Sequence, residues 1–311
     1  MSILPEKLAP IVISVYTRLD HFKKCILSLQ ENDLACESEL FIYSDAASSP
    51  SDVESVAKVR DFSRSIVGFK RVTLINRDKN YGGARNAEDG LKEVLVRYGS
   101  SIFMEDDIVV SKSFLKFMND ALFLYNNDPL IHSVSGFNIP NVSSEDGIIL
   151  SKLFSGWGVG MWAHKEPFSS VESMITPHQD MIENKIKSKV KKYHPTLHKN
   201  LKKVDNKICR ANDVIFTYLL IKCDLFQIKP TQTLVRNMGM DNSGVNCGSD
   251  RRFLSTKISN TELNPGALPK YKLQFDREYY DFFYPVLTLY DRLINLYSKI
   301  YRKLLSGNWN D

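Results

Sequence analysis

Short apolar runs alternate with longer stretches in which apolar residues recur at helical spacing. Residues 11–16 (IVISVY), 40–43, 72–75, 102–104 and 131–135 are brief and rich in β-branched residues, as buried strands are. Between them, Phe22, Ile26 and Leu29 mark one helix, with Asp20 placed to cap it. Val53, Val56, Val59 and Phe62 mark a second, opened by Ser51 or Asp52. Residues 84–98 form a third. Phe114, Phe117, Met118, Ala121, Leu122 and Tyr125 form a fourth, behind Ser111 as its cap. Strands separated by helices predict a mostly parallel sheet covered on both faces.

Past Asn138 the pattern loosens. Residues 141–147 are polar and turn-rich, 154–162 (FSGWGVGMW) form a Gly/Trp segment, and 176–207 are polar, basic and without clear periodicity, as in a mobile insertion. Residues 213–223 are a helix with Ile215, Phe216, Leu219 and Leu220 on its apolar side. Residues 238–248 are a Gly- and Asn-rich loop. The C-terminal stretch 278–305 mixes Tyr, Phe and Leu with Arg292, Lys299, Arg302 and Lys303, and Pro285 interrupts it near its start. That stretch reads equally as a helix packing its aromatic face on the domain and as an interfacial membrane helix.

Ligands of parallel α/β sheets bind at the carboxyl ends of the strands. Four polar clusters fall there: Thr17-Arg18, Ser44-Asp45, residues 77–80, and Glu105-Asp106-Asp107. Three adjacent carboxylates repel one another unless a cation sits among them. Oxygen ligands favour Mg²⁺ or Mn²⁺; the plainer alternative is an acidic helix start. Arg18 can pair with a diphosphate or be a surface residue. Asp45 can take a base N–H or be a turn residue. Residues 80–86 (NYGGARN), including Asn80 and Arg85, make a glycine turn into a helix, where an anion is favoured. Neither a GxGxxG nor a GxxxxGK sequence is present, which disfavours NAD-linked and P-loop chemistry. Asp213 is either a first-turn helix acid or a general base. Trp157 and Trp162 serve either as a platform for a sugar ring or as core residues.

The 311 residues, 43% hydrophobic and 25% charged, suit a folded globular protein. The net charge of +5 does not argue for nucleic acid; the lysines concentrate at 185–207. That run is either a solvated face or a patch for anionic lipid or a pyrophosphate-bearing acceptor. Five cysteines in no regular spacing read as reduced thiols, and the N-terminus lacks a signal-peptide core. These features predict a cytoplasmic protein, peripheral on the inner face of a membrane if it works there. The six histidines do not cluster, and no Gly-x-Ser-x-Gly elbow occurs, so hydrolase chemistry has little support.

In order, Thr17-Arg18, Tyr43-Ser44-Asp45, residues 103–108 (FMEDDI), Ser111 to Phe117, Asp128-Pro129, Val134 to Asn138 and residues 154–158 (FSGWG) resemble inverting glycosyltransferases of the GT-A fold. The pattern is similar to the bacterial family-two enzymes, and more closely to the animal N-acetylglucosaminyltransferase that initiates complex N-glycans. The resemblance spans roughly residues 10–250 at low identity. It implies a Rossmann-like, mostly parallel sheet flanked by helices, with a C-terminal helical tail. It divides the chain into a nucleotide-sugar half (1–140), an acceptor half (141–265) with a basic insertion (176–210), and an extension (266–311).

By resemblance, Asp107 binds Mn²⁺ or Mg²⁺, and Asp213 is the catalytic base. Thr17, Arg18, Asp45, Asn80, Arg85, Glu105 and Asp106 hold the donor. Gly156, Trp157, Gly158, Trp162 and Asn246 line the sugar and acceptor pocket. The donor is expected to be a UDP-sugar. The acceptor is expected to be a glycan or lipid-linked oligosaccharide, in bacterial surface polysaccharide synthesis. The basic insertion and aromatic tail have no clear counterpart in the family, and membrane contact through 185–207 or 278–305 is an expectation from their residues alone. Related enzymes often carry a His in the late glycine-rich loop; residues 243–248 (SGVNCG) have none, so Asn246 or Cys247 substitutes or the loop acts otherwise. Two other readings are a sugar-phosphate nucleotidyltransferase, whose Gly-rich basic loop after the first strand is missing, and a non-catalytic binding subunit of the same fold.

Overall fold

A computed structural model describes residues 7–140, 142, 144, 147–165, 176–208, 212–241 and 250–284. Four parallel strands, β1 (Ile11–Val15), β2 (Glu39–Ser44), β3 (Arg71–Asn76) and β4 (Ser100–Glu105), begin the sheet. Helices α1 (Leu19–Gln30), α2 (Val53–Ser65) and α3 (Gly83–Tyr98) connect them. After β5 (Ile108–Val110) and α4 (Phe114–Leu124) come β6 (Ile131–Ser135), β7 (Ile148–Ser151) and β8 (Val159–Trp162). Three short helices follow, α5 (Pro177–Glu183), α6 (Lys187–Tyr193) and α7 (Leu197–Asp205). Then come α8 (Asn212–Lys222), β9 (Phe226–Pro230), β10 (Val235–Asn237), α9 (Arg251–Leu254) and α10 (Leu273–Phe283).

The main sheet has the order β3-β2-β1-β4-β8-β6-β9-β7, and β5 and β10 form a separate antiparallel pair. β8 and β7 run against the rest, so the sheet is mixed but mostly parallel. Period-two alternation divides the strands between two layers. Ile11, Ile13, Val15, Leu40 and Ile42 join the core under α1, α2 and α4. Val12, Phe41 and Tyr43 meet Val94 of α3 on the other face. Leu91 and Leu95 of α3 join Ile215, Phe216 and Leu219 of α8. Burying each such side chain contributes about 1.5–3 kcal/mol. At Gly90, α3 comes so close to β2 that a Cβ would lie 2.7 Å from the Tyr43 ring.

Several local expectations differ from the structure. Arg18, not Asp20, is the N-cap of α1, and Asp20 lies in its first turn without a capping bond. Ser113, not Ser111, precedes α4, because the Ser111 carbonyl already accepts the Phe114 N–H in a turn. Asp52 stands at the start of α2, but its carboxylate is taken by Tyr16, Ser48 and Ser49. The basic stretch is a helical layer, with Val190, Tyr193, Leu197 and Leu201 buried beneath its charged surface. The Gly/Trp segment ends in strand β8, where a Cβ on Gly160 would lie 3.1 Å from the side chains of Leu122 and Met118 of α4.

The extension begins by packing inward. Phe275, Asp276 and Tyr279 of α10 are buried, and the Asp276 carboxylate accepts hydrogen bonds from Ser151 Oγ, Lys152 N and Tyr271 Oη. Pro285 and the remainder of the aromatic, basic stretch lie outside the described residues. Among the described residues no helix is long and apolar enough to cross a membrane.

Candidate functional site

The ends of β1, β2, β3 and β4 share one rim, because their register pairs Val15 with Ser44, Ser44 with Asn76, and Ser14 with Glu105. The polar clusters expected at that rim therefore meet in space. Arg18 forms ion pairs with both Asp106 and Asp107, the latter at 2.9 Å. Burial works against the Arg18 charge, but Asp106 and then Asp107 outweigh it and hold its pKa above the ordinary value. Thr17 and Arg18 also line an open depression of about 310 Å³ with His21, Ser55 and Lys58.

The acidic triplet is electrostatically stressed. Desolvation raises the Asp106 carboxyl to about 6, with Arg18 pulling down and Asp107 pushing up. Glu105 is pushed to about 8 by desolvation and then by the charges of Asp107, Asp106 and Asp213, with Arg18 opposing. Its side chain is crowded by protein on one side and reached by solvent on the other, so water screens part of that repulsion. Asp107 is buried, its Oδ1 without a hydrogen-bond partner. Gly239 presses against its Oδ2 and against Arg18 so closely that any side chain there would collide. The Asp107 carbonyl accepts the Met238 N–H at 2.8 Å, and His21 Nε2 reaches Asp241 Oδ2 at 3.1 Å. These contacts hold the 238–241 segment over the triplet.

An orphaned buried carboxylate oxygen, in a cluster whose members repel, fits a hard divalent cation. Arg18 already neutralises part of that charge, so a metal would share Asp106 and Asp107 with it. Among the described residues no group of three His, Cys, Asp or Glu side chains is arranged to hold a metal. A cation here would therefore take few protein ligands and complete its shell from a bound anion and water.

Asp45 is buried, and its Oδ1 accepts the N–H groups of Ala46 and Tyr81. It thereby ties the loop after β2 to the glycine turn before α3, and Asn80 Nδ2 reinforces the tie by donating to the Ala46 carbonyl. Arg77 at the end of β3 lies 5.0 Å from the Tyr43 ring and 4.8 Å from the Tyr81 ring, with its Nε on Asn86 Oδ1. Its buried Nη2 lacks a partner. Asn86 also donates to Ser14 Oγ and the Tyr43 carbonyl, which fixes α3 to β1 and β2. The strand-end position of Arg77 flagged it in the sequence, but nothing there revealed the stack with Tyr43 and Tyr81 or the role of Asn86. Arg85 is instead turned to Asp89 and the Tyr81 ring.

Asp213 is the second residue of α8, and the backbone N–H of Val214 and its own N–H favour its charge. Desolvation prevails and raises its pKa. Its charge is felt by Glu105 and also by Tyr279 and Tyr284, so it lies within electrostatic reach of both the acidic triplet and the C-terminal helix. Trp157 is half-buried, with Phe137 at 4.6 Å and Phe253 at 5.3 Å. Gly158 adopts φ +62°, and a Cβ there would lie 3.0 Å from the Phe114 ring, while Gly156 is less confined. Trp162 is not brought to the cleft. Its ring is buried, its Nε1 donates to the Leu122 carbonyl, and Lys165 Nζ lies over its face at 3.9 Å. Asn246 lies outside the described residues.

No protein-family description matches the sequence, and no curated protein does. Among solved structures, the chain is similar to a mannosyltransferase from Pyrobaculum calidifontis, PcManGT, in complex with GDP-Man and Mn²⁺. That match has 15% identity, covers 51% of this chain and 48% of the other, and has a TM-score of 0.35. It is also similar to S. aureus TarS 1-349 in complex with UDP-GlcNAc, at 12% identity over 53% of this chain and 47% of the other, with a TM-score of 0.35. Full S. aureus TarS matches at 14% identity over 48% of this chain and 26% of its own length, with a TM-score of 0.33. The chain thus spans about half or less of each of these structures. At such scores the likeness carries no argument about chemistry.

Proposed function

We propose that the chain is a nucleotide-sugar-dependent glycosyltransferase of the GT-A type, which moves a sugar to an acceptor hydroxyl with inversion at the anomeric carbon. The observation that supports this reading is the electrostatic reach of Asp213 to Glu105, in the triplet whose Asp106 and Asp107 pair with Arg18. A transfer from a diphosphate needs cationic groups at the leaving group and a base at the nucleophile, on opposite sides of the reacting carbon. In this reading Arg18 serves the leaving group and Asp213 is the base.

In this mechanism the Asp213 carboxylate takes the proton of the acceptor hydroxyl. The acceptor oxygen bonds to the anomeric carbon as the bond from that carbon to the diphosphate oxygen breaks, and the leaving nucleoside diphosphate keeps the electron pair. Arg18 compensates its charge. Asp45 and Asn80 shape the loop that receives the nucleoside, with UDP the preferred nucleotide. The Arg77–Tyr43–Tyr81 stack walls the same pocket. Thr17, Glu105 and Asp106 contact the donor, and Arg85 stands at its outer edge. Gly156, Trp157 and Gly158 border the transferred sugar. Asp107, with Asp106 and Glu105 beside it, is the residue that would hold Mn²⁺ or Mg²⁺, which would neutralise charge on the leaving diphosphate. The acceptor is a glycan or lipid-linked oligosaccharide of a surface polysaccharide.

A melting panel of UDP, GDP, dTDP and CMP, each with and without Mn²⁺, tests this reading. A ligand that binds only the folded state raises the melting temperature, by about 2.7 kcal/mol of stability at a hundredfold excess over Kd. The expected result is a shift with one nucleoside diphosphate that is lost in Asp107→Ala. No shift with any nucleotide in folded protein contradicts the proposal.

A further inference from the structure

The basic layer formed by α5, α6 and α7 takes no part in the site just described, and its charge is strongly one-sided. Lys187, Lys191, Lys192, Lys199, Lys202 and Lys203 all have exposed side chains. None of the six has an ion-pair partner among the described residues. The layer has three acids among the described residues: Asp180 takes Lys222 and Tyr218, Asp205 takes the N–H groups of His178 and Gln179, and Glu183 accepts from the Gln179 side chain. Lys189, by contrast, is paired with Asp224.

Lys187 and Lys191 of α6 and Lys199 of α7 all bear on one residue. Apart from desolvation, the charges of Lys191, Lys187 and Lys199 together push the pKa of His198 down, so α6 and α7 act on a common point. The apolar face of both helices is spent inward, on Val190, Tyr193, Leu197 and Leu201. The outer surface therefore offers charge and almost no apolar area, apart from the exposed Ile182 and Ile208 at the ends of the layer. Six unneutralised cations on a folded surface fit an extended anionic plane better than a single small anion, which would engage two or three of them.

The layer also adjoins the mouth of the cleft. His194, between α6 and α7, packs on the rings of Tyr280 and Tyr284 at 4.9 and 5.1 Å. Asn200 of α7 hydrogen-bonds Tyr284, whose hydroxyl feels the charge of Asp213. In the described part of the tail, Phe275, Asp276 and Tyr279 of α10 face inward.

We propose that the lysine face of α6 and α7 docks the protein electrostatically on an anionic phospholipid surface. Bound this way, the Asp213 side of the cleft lies close to the lipid headgroups, where a membrane-anchored acceptor presents its hydroxyl. Only this last consequence rests on the glycosyltransferase reading; the docking surface does not.

The test is flotation of the full chain with vesicles of phosphatidylcholine alone or with 30 mol% phosphatidylglycerol, at about 0.1 and 0.5 M salt, where screening lengths differ about twofold. Wild-type protein is expected to float with the phosphatidylglycerol vesicles at low salt and to be released at high salt. A quadruple K191Q/K192Q/K199Q/K202Q variant is expected to bind roughly a thousandfold more weakly, at about a kcal/mol per lysine. The matching Lys→Arg variant should bind as wild type. Circular dichroism establishes that each variant is folded. Equal binding to both vesicle types, an unchanged quadruple Gln variant, or binding to soluble polyphosphate but to no vesicle would each overturn the proposal.

Discussion

Asp276→Ala removes one carboxylate that α10 uses to dock. Its oxygens accept Ser151 Oγ at 2.6 Å, Tyr271 Oη at 2.7 Å and Lys152 N at 3.1 Å, all in a site shielded from water. Beside it, the fully buried Lys229 amine has no hydrogen-bond partner and lies 3.3 Å from the Tyr279 ring centre. Desolvation drives the Lys229 pKa well below its ordinary value, and Asp276 is the charge that opposes this. Alanine would leave two hydroxyls and one N–H without their acceptor. Each bond to a charged group contributes about 1.5–3 kcal/mol. Such losses are not additive, so the lower range is the appropriate one. At about 2–4 °C per kcal/mol, the melting temperature should fall by roughly 3–12 °C. Scanning calorimetry reads the loss, and amide exchange in residues 273–283 locates it. Adding Lys229→Met, which replaces the amine with an apolar side chain of similar length, should recover part of it. Melting of the single variant within about 1 °C of wild type would refute the reasoning.

His132 and His194 are buried and held near pKa 4 against an ordinary 6.5. Desolvation is the main cause, with Lys165 adding for His132 and His198 for His194. Between pH 4 and 6.5 the unfolded chain binds protons that the native state refuses. Stability is thus complete above that window and falls as the pH is lowered through it, by up to about 3 kcal/mol per histidine. Asp106 and Glu105, held above their ordinary values, contribute a slope of opposite sign. The test is therefore the difference in urea stability between wild type and His132→Phe, which should follow the histidine slope across the window. Gly90→Ala forces a methyl group against the Tyr43 ring and should cost about 1–3 kcal/mol by overpacking, read as a lower urea midpoint at unchanged m. A smaller residue at position 43 should relieve that loss in the double variant.

The first half of the fold was legible because each strand is a short β-branched run ending in a polar cluster. Observed β1, β2, β3, β4 and β6 fall where those runs lie. The later strands were hidden for physical reasons. In β8, Gly160 interrupts the apolar pattern because α4 needs the space, and the segment therefore resembles a loop. The strands of the β5–β10 pair have three residues each, too short for any period to register. In α6 and α7 only four inward residues carry the helical signal, and the surrounding lysines mask it. At the site, strand-end position identified Arg18, Asp45 and the acidic triplet as neighbours. It did not reveal that Arg18 bridges Asp106 and Asp107, that Gly239 closes on them, or that Asp45 is spent on two loop N–H groups. Those are contacts between segments distant in sequence, and local pattern does not encode them. Trp162 shows the converse: an aromatic residue next to a glycine-rich turn is core here, because α4 supplies its hydrogen-bond acceptor.

The most direct test of the central claim is release of nucleoside diphosphate from a panel of sugar nucleotides, measured for wild-type protein and Asp213→Asn. The substitution keeps the size of the side chain and removes the base, and general base catalysis contributes about 10²–10⁴-fold. The account predicts release by the wild type from one donor, at least a hundredfold slower in Asp213→Asn, with nucleotide binding by melting shift unchanged. Equal release by both proteins, or no release from any donor by folded wild-type protein that binds the nucleotide, would contradict it.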